Sequence, residues 1–147
     1  MNNIEPTLAI YSVNTNSYDD YKFDFSFGSF LENNFFFKYY LFTDKLNDLN
    51  NYPFIEQIEI KYNKHNNYSL IFQHQERKIT IPEGIEIDRF LKLNPIKVLP
   101  NHDISIYHDA RIILFANIFS EIDKFNNDFD WISMKHRYRN SFNEELL

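Results

Sequence analysis

The chain has no cysteine, which excludes disulfide staples and thiolate zinc sites and is compatible with a reducing compartment. It has no apolar run of the roughly 18 residues that a membrane-crossing helix needs. Its start, Met1-Asn2-Asn3-Ile4-Glu5-Pro6, lacks the basic segment followed by an apolar one that marks an export signal. No transmembrane segment and a cytoplasmic location are therefore expected. Positive charge is also in short supply: 15 Lys and Arg against 21 Asp and Glu give a formal net charge of −6. Such a field repels polyanions, so no nucleic-acid partner is expected. The sequence has neither an internal repeat nor a stretch that looks like a linker.

What it does have is apolar and aromatic mass. Hydrophobic residues make up 44% of 147 positions, with sixteen Phe and ten Tyr. That is enough apolar area to offset the entropy of ordering the chain, and the length suits one core, so a single domain over residues 1–147 is expected.

The periodicity places the elements. Leu8 to Val13 is mostly apolar, without Gly or Pro, and stops at Asn14-Thr15-Asn16-Ser17, as a buried strand would. Phe36 to Thr43, closed by Asp44, is a second strand. Phe54 to Tyr62 alternates Ile58, Ile60 and Tyr62 against Glu59 and Lys61, as a strand with one wet face does. From Asn63 to Pro82 the pattern is weak and polar, and no element is predicted. Pro82-Glu83-Gly84 reads as a turn into a helix that has Ile87, Phe90 and Leu91 on one face, with Arg89 and Lys92 on the other. Asn94-Pro95 ends that helix. Ile104 to Tyr107 is the fourth strand, a helix follows through Ile118, Phe119, Ile122 and Phe125, Trp131 to Met134 is a last strand, and Phe142 to Leu147 a closing helix.

Alternating strands and helices predict the α/β class, with a mostly parallel central sheet flanked by helices. Ligands of such sheets bind beyond the carboxyl ends of the strands. That rule brings Asn14 to Asp20, Asp44, His108-Asp109 and Lys135-His136 to one edge.

The side chains there suit a phosphorylated ligand. Asp109 ends an apolar strand, where a partly desolvated carboxylate needs a partner or a metal ion, although a capping role would also satisfy it. Asp19 and Asp20 are placed to meet a ribose hydroxyl or a base, or else to cap a turn. Arg111, two residues beyond Asp109, lies on the same side of an extended chain and can pair with it. His136 and Arg139, three apart, can face a phosphate together, the guanidinium through two parallel bonds. Glu59-Ile60-Lys61 has the spacing of a metal-dependent nuclease motif, but a match of three residues is common by chance. His65, His74 and His102 show no metal-ligand spacing among themselves.

In their order, these pieces resemble a GT-A-type glycosyltransferase-like domain family, first catalogued as a domain of unknown function and known from plant mucilage-related and bacterial polysaccharide proteins. The matching pieces are the first strand with Tyr18-Asp19-Asp20, Leu41-Phe42-Thr43-Asp44, Arg89 with Lys92, Asn94-Pro95 and Leu99-Pro100, Ser105 to Ile112, and Lys135 to Arg139 leading to Glu144-Glu145. The resemblance implies a GT-A fold in a short version, and a transferase that moves sugar from a nucleotide-sugar donor to a glycan or polysaccharide acceptor. It implies Asp109, His136 and Arg139 as catalytic residues, with Asp19, Asp20, Arg89, Lys92 and Arg111 around the donor. Asp109 and His136 would hold a divalent cation, manganese or magnesium. Arg111 departs from the family, which usually offers an oxygen ligand at that position, and a guanidinium cannot bind a cation. Three alternatives stay open: a metal on Asp109 and His136, a site where Arg111 itself neutralises the diphosphate, and a non-catalytic relative that only binds the donor.

Overall fold

The computed structural model of the chain describes residues 7–16, 37–46, 49, 54–73 and 75–109. The chain divides into two units, Met1–Ala116 and Asn117–Leu147, and every described residue belongs to the first.

Six strands form one sheet: β1 (Leu8–Asn14), β2 (Phe37–Thr43), β3 (Ile55–Tyr62), β4 (Asn67–Ile71), β5 (Glu76–Thr80) and β6 (Ile104–Tyr107). Their order across the sheet is β5-β4-β3-β2-β1-β6. β1 pairs in parallel with both β2 and β6, and β2 with β3, whereas β3–β4 and β4–β5 are antiparallel. Two short helices lie between β5 and β6: α1 (Ile87–Leu93) and α2 (Pro95–Val98).

This architecture corrects the expected one. The sheet is mixed and curls into a half-barrel, and among the described residues the only helices are seven and four residues long, so it is not the helix-flanked, mostly parallel GT-A-like sheet inferred from the sequence. The difference arises in the polar stretch between Asn63 and Pro82. It forms β4 and β5, which extend the sheet by antiparallel pairing and need no crossover helix. His65 and Asn66, at φ 50° and 59°, make the tight turn between β3 and β4, both in the left-handed region that a type I′ hairpin requires.

The centre of the sheet is dry on both faces. Every residue of β1 is buried, as its mostly apolar run implies. Ala9, Tyr11, Val13, Tyr40, Phe42 and Ile58 on one face join Leu70, Phe90, Leu91 and Val98 in a single cluster, so α1 and α2 cover that side. Leu8, Ile10, Ser12, Tyr39 and Leu41 alternate onto the other face and are buried too.

The helices are tied down by specific polar contacts. Gly84, at φ 81°, supplies the positive-φ position of the turn closed by the Ile85 amide and the Pro82 carbonyl at 3.2 Å. At the far end of α1 the Tyr11 hydroxyl donates to the Lys92 carbonyl at 2.6 Å, which satisfies one of the last-turn acceptors. Pro95 then opens α2, and the Arg77 guanidinium reaches from β5 to the carbonyls of Lys97 and Leu99 at 3.1 and 2.9 Å. Among the described residues no helix is long and apolar enough to cross a membrane.

Candidate functional site at the carboxyl edge

β1, β2 and β6 run in parallel, so their carboxyl ends share one edge of the sheet. The chain steps from β1 to β2 to β3 in one direction, and β6 then adds on the opposite side of β1. The strand order therefore reverses between β1 and β6, and at such a switch point the connections leave in opposite directions and open a crevice. Asn14, Asn16, Asp44, His108 and Asp109 lie along this edge, as expected from the sequence, and Thr43 joins them. The loops beyond β1 and β2 are joined there, since the Asn16 amide donates to Asp44 Oδ2 at 2.8 Å.

Asp109 is the chemical centre of the edge. Residues 107 and 109 fall on one side of the extended backbone, and the Tyr107 hydroxyl donates to Asp109 Oδ1 at 2.7 Å. Lys92, brought over the sheet at the last turn of α1, places Nζ 3.8 Å from the same oxygen and 4.7 Å from the centre of the Tyr107 ring. Tyr11 packs its ring edge against Tyr107 with centroids 5.3 Å apart, and burial holds its own hydroxyl protonated far above the ordinary phenol range. A half-exposed carboxylate thus carries an ammonium that sits on an aromatic face. Exposed pairs of this kind are worth only about 0–1 kcal/mol, so the lysine can turn to a stronger anion at little cost.

His108, beside Asp109 in sequence, projects to the opposite face and is buried. Its ring lies between the Tyr39 hydroxyl and the Asp109 carbonyl. Ser12 is also buried on that face, and its hydroxyl has no hydrogen-bond partner among the described residues.

Of the residues inferred from the sequence, Lys92 and Asp109 are brought together. Arg89 is directed elsewhere, to Glu86 at 3.8 Å one turn back on the solvent side of α1. Asp19, Asp20, Arg111, His136 and Arg139 lie outside the described residues. So do Lys135 and the elements expected at 118–125, 131–134 and 142–147. Tyr107 and Tyr39 were not singled out by the sequence reading, nor was a role given to His108. The spacing of two that suggested a pairing of Arg111 with Asp109 applies equally to Tyr107. The Tyr39–His108 contact has no sequence signal, because it joins residues 69 positions apart.

Among the described residues the donor set fits a divalent cation poorly. Among the described residues no group of three His, Asp or Glu side chains could hold a metal ion. At the edge itself the Asp109 carboxylate already faces an ammonium, which would repel a cation, and the Asp44 carboxylate accepts from the Asn16 amide. Glu59 and Lys61 pair with each other at 3.1 Å on β3, and among the described residues Glu59 belongs to no group of three metal-ligating side chains. Comparison of the chain with protein-family models, with curated proteins and with solved structures found no match.

Proposed function

We propose that the chain binds a nucleotide sugar at the carboxyl ends of β1 and β6 and transfers its sugar to a glycan acceptor. The observation that supports this reading is the cluster of Lys92, Tyr107 and Asp109 at the point where the strand order reverses. Sugar transfer builds negative charge on the departing diphosphate, and a protein accelerates it by meeting that charge with fixed positive groups. Lys92 is the described cation placed for this role, leaving Asp109 for the diphosphate. Asp109, released from Lys92, would accept a hydroxyl of the donor sugar. The same reading assigns His136 and Arg139 to the diphosphate, Arg111 to supporting charge, and Asp19 or Asp20 to the nucleoside. No step here is routed through a metal ion.

Thermal unfolding with a panel of nucleoside diphosphates and nucleotide sugars, with and without manganese, tests the reading. Stabilisation by a nucleoside diphosphate is expected, and it should disappear in Lys92→Ala and weaken in Asp109→Asn. Hydrolysis or transfer of the donor sugar would then separate an enzyme from a protein that only binds. Absence of any nucleotide response refutes the proposal.

A further inference from the structure

The ring of His108 has its protons assigned by its neighbours. The carbonyl oxygen of Asp109 can only accept, so Nδ1, 2.9 Å from it, carries the hydrogen. In the neutral ring Nε2 then presents a lone pair, and the hydroxyl of the buried Tyr39 donates to it. The backbone on the other side of Asp109 is fixed as well, because the His108 amide donates to the Tyr11 carbonyl at 3.1 Å and prolongs the β1–β6 ladder. Both flanks of the Asp109 Cα are therefore held, one by β1 and the other by an imidazole that β2 orients.

We propose that His108 is the positioning residue of Asp109: as the Nδ1–H tautomer, oriented by Tyr39, it fixes the end of β6 so that the Asp109 carboxylate meets Tyr107 and Lys92 on the opposite face. A buried histidine that merely fills space would tolerate either tautomer. This one does not, since exchanging the protons would set a ring lone pair against a carbonyl oxygen. The consequence for ligand binding rests on the function proposed above, while the tautomer and its hold on Asp109 do not.

The test uses the full chain and two substitutions that divide the ring's work. His108→Asn keeps an N–H donor near the Nδ1 position, and His108→Gln keeps a polar group near the Nε2 position instead. In the wild type, two-bond proton–nitrogen spectra at neutral pH are expected to show a protonated Nδ1 and a bare Nε2. The Asp109 carboxyl carbon and the Lys92 Nζ resonances should stay close to wild type in His108→Asn and move in His108→Gln. Affinity for a nucleoside diphosphate should fall by about 10-fold in the Gln variant, the size of one lost hydrogen bond, and stay nearly unchanged in the Asn variant. A protonated Nε2 in the wild type overturns the proposal, and that measurement stands even where a variant fails to fold. Equal behaviour of the two variants at Asp109 and Lys92 overturns it as well. If the wild type binds no nucleoside diphosphate but the spectral contrast between Asn and Gln holds, the positioning role stands and the proposed function falls.

Discussion

The sheet has two halves built on different principles. β3, β2, β1 and β6 run parallel and are dry at the centre, whereas β4 and β5 fold back in an antiparallel extension whose outer strand alternates between exposed and half-buried residues. Parallel strands leave their carboxyl ends together, so loop residues far apart in sequence meet on one edge. Antiparallel strands send successive ends to opposite edges and gather nothing. The contrast explains where the polar cluster lies. Asp109, Lys92 and Tyr107 gather on the parallel half, while the charges of the antiparallel half, such as Lys78 and Glu76, are spread along an outer strand, where they oppose pairing with another chain.

Removing apolar volume from each half sharpens that comparison most. Leu41→Ala empties a fully buried position of the parallel half and is expected to cost about 3 kcal/mol, whereas Ile79→Ala on β5 is half-buried and should cost about 1 kcal/mol, both read from denaturant unfolding. Similar losses at the two positions would break the distinction between the halves. Next in size is Arg77→Ala, the clamp from β5 to the carbonyls that end α2; a loss of about 1–2 kcal/mol is expected, with Arg77→Lys recovering only part of it because a point charge cannot span both acceptors.

The start of the parallel half has its own signature in acid. The amide and hydroxyl of Thr7 both donate to Asp103 Oδ2, at 2.7 and 2.9 Å, and with His102 nearby they hold that carboxyl below its ordinary value. A carboxyl whose folded value is depressed stabilises the fold above its unfolded value, and the contribution is lost as pH falls through the folded one. The difference in melting temperature between wild type and Asp103→Asn should therefore be present above the ordinary carboxylate range and shrink as the pH falls below it. A difference that stays constant across that window would contradict the assignment. The smallest effect is expected from Lys61→Ala, since its ion pair with Glu59 lies on an open surface and such pairs contribute less than about 1 kcal/mol.

Much of the parallel half was legible in the amino acids. The first strand announced itself as a mostly apolar run, Ile104–Tyr107 was delimited correctly, and the turn at Gly84 followed from a residue free to take positive φ. β4 and β5 were not legible, because Asn67–Ile71 and Glu76–Thr80 are only five residues each and lie in a stretch without a clear pattern, and become strands by pairing with β3 and with each other. Missing them made the sheet look more parallel and more helix-covered than it is. α2 was missed because Asn94-Pro95 ends one helix and the same proline starts the next. At the site, the gathering of Asp44, His108 and Asp109 along one edge followed from the strand rule, but the partner of each did not. Lys92 was expected to serve together with Arg89, yet the turn of the helix carries one over the sheet to Asp109 and leaves the other beside Glu86.

The most direct measurement follows backbone amide resonances during titration with nucleoside diphosphates. Changes are expected to concentrate at Asn14, Asn16, Lys92, Tyr107 and Asp109, at the carboxyl edge of the parallel half, and to vanish in Lys92→Ala. Changes confined to the β4–β5 extension, or a spectrum untouched by every nucleotide, would contradict the assignment of that edge as the ligand site.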